Sequence, residues 1–197
     1  PPAGRDGPRM IAVRLARGAD ALAIGTVHVA AWRSAYPGIL PAGYLARLSV
    51  SRQAMQYEAA IRSGAPIHVA TASGTDTPDG RGPRVIGFAA AGRARGGSFA
   101  RRLGEGEIET LYVLDDWRDR GVGRRLLRAA AAQLAGSGCR SAFLWVLRDN
   151  PSRWFYARLG GLPVAESTIR VGGASVVQVA FAWDPIEKLL EATARAS

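Results

Sequence analysis

Gly106-Glu-Ile-Glu-Thr-Leu-Tyr-Val-Leu-Asp-Asp-Trp-Arg-Asp-Arg-Gly-Val-Gly-Arg-Arg-Leu-Leu127 runs from a strand pattern through a glycine turn into a helix pattern. Glu107 to Leu114 reads as a strand. A helix is expected from about Gly121 to Ala135, with Gly123, Leu126, Leu127, Ala130 and Leu134 recurring on one face at helical spacing. Between them lies Arg118-Asp119-Arg120-Gly121-Val122-Gly123. Glycines let backbone approach a phosphate closely, and the unpaired N–H groups of a helix's first turn form an anion site with the helix dipole. Arg118, Arg120 and Arg124 add charge-assisted donors. The spacing is not that of a dinucleotide fold, which needs a further glycine and an acidic residue about 20 positions on, and no Gly-Lys-Ser/Thr of a P-loop follows.

Working outward, Met10 to Leu15 alternates as a half-buried strand. Asp20 is expected to cap a helix that carries Ile24, Val27, Ala31 and Ala35 on one stripe, with His28, Trp32 and Tyr36 beside them, until Pro37 stops it. Helices are expected over about Pro41–Leu48 and from a Ser51 cap to Arg62. Ile67–Thr71 and Val85–Ala91 read as a hairpin joined by the turn-rich Ser73–Pro83 stretch. The Gly- and Arg-rich segment from Gly92 to Gly106 reads as a loop. Ala142–Leu147 is apolar almost throughout, as befits a strand buried on both faces. Pro151 opens a helix at a position that does not need its N–H. Val164–Val171 and Val176–Trp183 pair across Gly172-Gly173, and a C-terminal helix follows Pro185. The order β-ααα-ββ-β-α-β-α-ββ calls for a mixed sheet flanked by helices.

The chain has 197 residues, enough for one well-buried core. A Pro- and Gly-rich leader is expected over residues 1–9 and one domain over 10–197. No apolar run approaches the roughly 18 residues of a membrane span, so a soluble, cytoplasmic protein with no membrane partner is expected. The single cysteine, Cys139, excludes an internal disulfide framework and reads as a small buried thiol. The net charge is +10. The basic residues are almost all arginine and are spread along the whole chain, which argues against a nucleic-acid partner. His68 is the only histidine besides His28, and no His/Cys/Asp/Glu group has metal-ligand spacing, so no metal is expected.

The Gly106–Leu127 stretch resembles the cofactor-binding motif of the GNAT (GCN5-related N-acetyltransferase) superfamily over its full length. Asn150-Pro-Ser-Arg-Trp-Phe-Tyr-Ala-Arg-Leu-Gly160 resembles the family's second motif, Asn-x-x-Ala-x-x-Phe-Tyr-x-x-x-Gly, at the same distance downstream. Trp32-Arg-Ser-Ala-Tyr36 is similar to a bacterial subgroup. Gly161 departs from the pattern, where an aromatic is usual, and so does Asp119, at an often small position. The resemblance implies a GNAT fold of the mixed α/β (α+β) class, whose central, mostly antiparallel sheet has a V-shaped gap between two parallel strands, here 107–114 and 142–147. It implies acetyl-CoA (acyl-CoA) as co-substrate and a small-molecule or peptide amine as acceptor, in a monomer or homodimer.

The resemblance also implies site roles. Leu111, Tyr112 and Val113 would hold the pantetheine arm, and Arg118, Arg120, Gly121, Val122, Gly123 and Arg124 the pyrophosphate. Asn150 and Ser152 would bind the cofactor, unless Asn150 is simply a helix-start cap. Glu107 matches the family's base, with Glu109 on the same strand face or a water as alternatives. Tyr156 matches the general acid for the leaving thiolate, unless it is a core tyrosine. His28, Trp32, Tyr36 and Glu109 would border the acceptor, although helix-face aromatics also serve packing. Attack would be direct, since no nucleophile with a partnered base is present. The competing reading is a catalytically silent acyl-CoA-sensing module; Glu107 and Tyr156 together favour the enzyme.

Overall fold

The computed structural model describes residues 10–73 and 83–194. The expected 1–9 leader and most of the Ser73–Pro83 turn lie outside the described residues. Strands β1 (Met10–Leu15), β2 (Ile67–Ser73), β3 (Arg84–Arg93), β4 (Gly106–Val113), β5 (Ala142–Leu147), β6 (Leu162–Val171) and β7 (Ala174–Trp183) form one sheet in the order β1-β2-β3-β4-β5-β7-β6. Helices α1 (Ala21–Ala35), α2 (Ala42–Ala46), α3 (Val50–Arg62), α4 (Gly97–Leu103), α5 (Val122–Gly136), α6 (Arg153–Arg158) and α7 (Glu187–Ala194) flank it. Every neighbouring pair of strands is antiparallel except β4 and β5. The mixed sheet expected from the sequence is therefore present, with the parallel pair where the α5 crossover requires it.

Each face of the sheet has its own core. On one face α5 inserts Leu126, Leu127 and Leu134, at most 1% exposed, against Ile108, Leu144 and Val146. Burying each such leucine contributes roughly 1.5–3 kcal/mol. Val122 joins that face, whereas Gly123, expected in the stripe, is only half-buried. On the other face Ile24 and Val27 of α1 meet Val69 and Phe88, with α3 outside them. Cys139 is buried, as the composition suggested.

Three local expectations are corrected. The Gly92–Gly106 segment contains α4, whose Ala100 and Leu103 pack on Phe143 and Trp145. Flanking glycines at 96, 97 and 104 concealed a seven-residue helix stabilised by that contact and not by propensity. The cap of α3 is Ser49, not Ser51: its hydroxyl accepts from the Arg52 N–H at 3.3 Å. Asp20 precedes α1, but its carboxylate is committed to Arg14 at 2.7 Å and the Arg17 N–H, so it makes no cap bond to the helix.

The α1 and α3 backbones touch at Gly25, where an added Cβ would lie 2.8 Å from both Ala54 N and Val50 O. Gly25→Ala is expected to cost about 1–3 kcal/mol, because backbone on a packed helix cannot yield cheaply. Gly136→Ala, in the open at the end of α5, is expected to be neutral or stabilising by up to about 1 kcal/mol. Denaturant midpoints of the two variants check this; equal midpoints would contradict the close approach.

Candidate active site

The parallel β4–β5 ladder pairs only Gly106 with Ala142 and Glu107 with Phe143. Beyond that point β4 stays with β3 as far as Val113, and β5 stays with β7 along its whole length. The two strands are held from opposite sides, and a gap opens between them. The β3–β4 register jumps from Ala90↔Thr110 to Ala91↔Ile108, so Glu109 is the extra residue of a bulge. Before the bulge Ile108 faces α5 and Glu107 alternates to the opposite face, and the bulged Glu109 lies near Tyr57 of α3. After it, Leu111 and Val113 face α5 and Tyr112 faces α1. The Leu114 N–H donates to Ile86 O on β3 at 2.9 Å. Strand alternation therefore turns the Val113 and Leu111 N–H groups toward the opened edge.

A cavity of ≈ 880 Å³ occupies this gap. Glu107, Glu109, Leu111, Tyr112, Val113, Arg118, Gly121, Val122, Gly123, Arg124, Asn150, Ser152, Tyr156, Trp32 and Tyr36 all line it; Arg120 and His28 do not. At its α5 end the turn is built by left-handed backbone, φ 74° at Gly121 and 57° at Asp119. Nothing lies within 4 Å of where a Gly121 Cβ would sit, so the backbone angle, not crowding, calls for glycine there in the free protein. Arg118 pairs with Asp115 at 3.0 Å, and Ser34 of α1 bonds the same carboxylate, tying α1 to the turn. The Arg120 guanidinium lies over the Trp117 ring, 5.3 Å from its centroid.

Glu107 is half-buried, and burial, then the neighbouring Glu109 charge, raise its carboxyl above the usual range against the pull of Arg95. Tyr156 is buried against Phe155 and Phe181, and desolvation, then Tyr36, raise its phenol so that it stays protonated. Asn150 accepts the Ser152 N–H at 2.9 Å, and its side chain also bonds the Tyr36 hydroxyl. The first bond closes a turn just before α6, whose N-cap is Ser152.

A scan of the whole chain matches the acetyltransferase (GNAT) family over residues 39–161. The chain belongs to that family. It is 32% identical over 180 residues to YuaI of Bacillus subtilis (strain 168), an uncharacterised N-acetyltransferase, covering 91% of this chain and 96% of that one. Family and relative make the chain an N-acetyltransferase. The fold is shared with an N-acetyltransferase from Staphylococcus aureus Mu50, TM-score 0.63 at 18% identity over 89% of this chain and 98% of that one. It is shared equally with YncA from Salmonella typhimurium, solved with its cofactor acetyl-CoA, TM-score 0.63 at 21% identity over 88% and 93%.

The acetyltransferase's cavity also takes residues the sequence did not single out. Trp145 of β5, Ile169 and Val171 of β6 and Gln178 of β7 come to it through strand pairing across the sheet. No local pattern marks them. Among the described residues no three His, Cys, Asp or Glu side chains cluster as a metal site, and no helix is long and apolar enough to cross a membrane.

His28 serves the α1–α3 interface instead of the cavity. Its Nδ1 bonds the Tyr57 hydroxyl at 2.8 Å, its ring stacks on Trp32, and burial holds its pKa down to about 4. The unfolded ring, near 6.5, takes up a proton that the native ring refuses. Stability should therefore fall as pH drops from about 6.5 to about 4, and His68, lowered by burial too, acts with the same sign. Denaturant titrations across that window should show a slope that His28→Gln flattens. An unchanged slope would assign the proton uptake to other groups.

Proposed function

We propose that the chain transfers the acetyl group of acetyl-CoA to a primary amine by direct attack in a ternary complex. The observation that carries this reading is the opened β4 edge, with a glycine turn at one end of its cavity and Glu107 and Tyr156 on its walls. The free N–H groups of Leu111 and Val113 suit the amide-bearing arm of the co-substrate. The first-turn N–H groups at Val122, Gly123 and Arg124, with the Arg118 and Arg124 side chains, suit its pyrophosphate. Gly121 gives the turn its left-handed angle, and Arg120 adds positive charge from its seat on Trp117. Asn150 and Ser152 line the cavity at the start of α6 where they would meet the co-substrate, and the Asn150 side chain also bonds the Tyr36 hydroxyl.

Glu107 takes the proton that the acceptor ammonium must lose, directly or through a water. Its raised carboxyl brings it closer to the working pH than an ordinary glutamate. The amine nitrogen then bonds to the thioester carbonyl carbon, and a β4 N–H near Val113 meets the charge growing on the carbonyl oxygen. As the carbon–sulfur bond breaks, the newly bonded nitrogen sheds its second proton to water and the Tyr156 hydroxyl donates to the departing sulfur. Its phenol ionises less readily than a thiol, so it stabilises the thiolate first and passes the proton on as water reprotonates the ring oxygen.

Tyr156→Phe removes one oxygen and little packing area. Turnover, followed as free-thiol release from acetyl-CoA, is expected to fall roughly 10- to 1000-fold with acetyl-CoA affinity nearly unchanged. Wild-type turnover in the folded variant would return Tyr156 to the core. Glu107→Gln is expected to lower turnover roughly 100-fold near neutral pH and to recover as pH rises and the amine deprotonates unaided. A loss uniform in pH would point to positioning instead of proton transfer.

A further inference from the structure

The α1 face of the cavity has a composition of its own. Trp32, Tyr36 and Leu40 border it on one side, Leu147 and Trp145 of β5 on another, and Ile169 and Val171 of β6 close it. Five of these form one apolar assembly: Tyr36 and Leu40 share a packed cluster with Trp32, Leu147 and Val171. The Gly172 turn of the β6–β7 hairpin is pressed so closely on the Tyr44 ring that any Cβ there would overlap it, so the hairpin is held against α2. Trp145 is braced from behind by α4 through Ala100 and Leu103. Gln178 is the neutral polar side chain that β7 adds to this wall.

Charge on this face has one sign. The charged side chains lining the cavity here are Glu107 and Glu109, and Glu109 acts on Tyr57 of α3, which places it on the same face. Of the other charged residues lining the cavity, Arg118 and Asp119 are on the turn into α5, Arg124 on α5 and Arg158 on α6, whose Phe155 stands against Gly123, and Arg118 is already paired with Asp115 at 3.0 Å. Arg95 acts on Glu107 but does not line the cavity. An ammonium entering here meets two carboxylates, whereas a carboxylate on the same molecule would be desolvated against them with no cation among the β4, β5, β6 and β7 residues that line this part. An apolar body would replace water on the aromatic and aliphatic part of the wall, whereas a hydroxylated one would meet polar groups at Tyr36, Thr110 and Gln178 and set the rest of its polar surface against carbon.

We propose that the acceptor is a primary amine carried on an apolar, preferably aromatic body without a carboxylate. This rests on the amine-acetylation reading above and narrows it to a substrate class. Free amino acids and hydroxylated amines are then poor acceptors.

The test compares acetyl-CoA-dependent thiol release with phenethylamine, phenylalanine and ethanolamine. Phenylalanine adds one carboxylate and holds no less free amine at a given pH; ethanolamine exchanges the ring for a hydroxyl. Phenethylamine should exceed both in kcat/KM by about 10- to 100-fold, the worth of burying one ring and of sparing one unpaired charge. Ile169→Ser should erase most of the advantage over ethanolamine, and Glu109→Lys most of the advantage over phenylalanine. In both variants the acetyl-CoA-induced rise in thermal midpoint should persist, which shows that they are folded. Phenylalanine or ethanolamine matching phenethylamine overturns the inference and leaves amine acetylation standing. So does an unchanged preference in both variants while they still respond to acetyl-CoA. No thermal response to acetyl-CoA and no thiol release with any amine would overturn the acetylation reading itself.

Discussion

The parting of β4 from β5 is the constraint on which the rest of the molecule depends. Two backbone pairs hold the strands at Gly106 and Glu107, and beyond them each strand is claimed by its other neighbour, β3 or β7. A sheet interior would ordinarily satisfy those N–H and C=O groups by pairing. Here they are left on the wall of a cavity, ready for a ligand with amides of its own. The parallel arrangement itself follows from the α5 crossover, and that crossover sets its positive N-terminus at the mouth of the same gap. The exposed helix N-terminus and the open strand edge are thus two consequences of one β-α-β connection.

The bulge at Glu109 gives the cavity its two unlike sides. One residue inserted into β4 brings Leu111 and Val113 onto the α5 face with Ile108, while Glu109 lies on the other face near Tyr57 of α3. The carboxylates of β4 thus stand apart from Arg118 and Arg124 at the α5 end, although β4, the turn and α5 are consecutive stretches of one chain. Burial and mutual repulsion raise Glu107, and Arg95 restrains the shift. Tyr156 sits across the gap on α6, brought there by the packing of Phe155 and Tyr156 against Gly123 and Phe181.

What could be read from the sequence was what is local in it. The glycine turn, the α5 stripe of Leu126, Leu127 and Leu134, and the strand ending at Leu-Tyr-Val are patterns of nearest neighbours and helical repeats, and they led to the mixed sheet, while its parallel pair was implied by the family resemblance. The features that escaped are set by partners far along the chain. The bulge exists only relative to the register of β3, α4 only because Phe143 and Trp145 offer it a surface, and the Ile169–Val171 wall only because β6 pairs with β7 outside β5. His28 is the converse case, since its helical spacing from Trp32 and Tyr36 suggested a shared task. A bond to Tyr57 turns it instead to structure.

The most direct test of the open edge is residue-resolved backbone amide exchange with and without acetyl-CoA. Tyr112 and Leu114, whose N–H groups point to β3, should exchange at the same rate in both states. Leu111 and Val113 should slow by about tenfold or more when acetyl-CoA is bound, as their N–H groups gain acceptors in the gap. Unchanged exchange at Leu111 and Val113 under saturating acetyl-CoA would contradict the assignment of the β4–β5 gap as the place where the co-substrate lies.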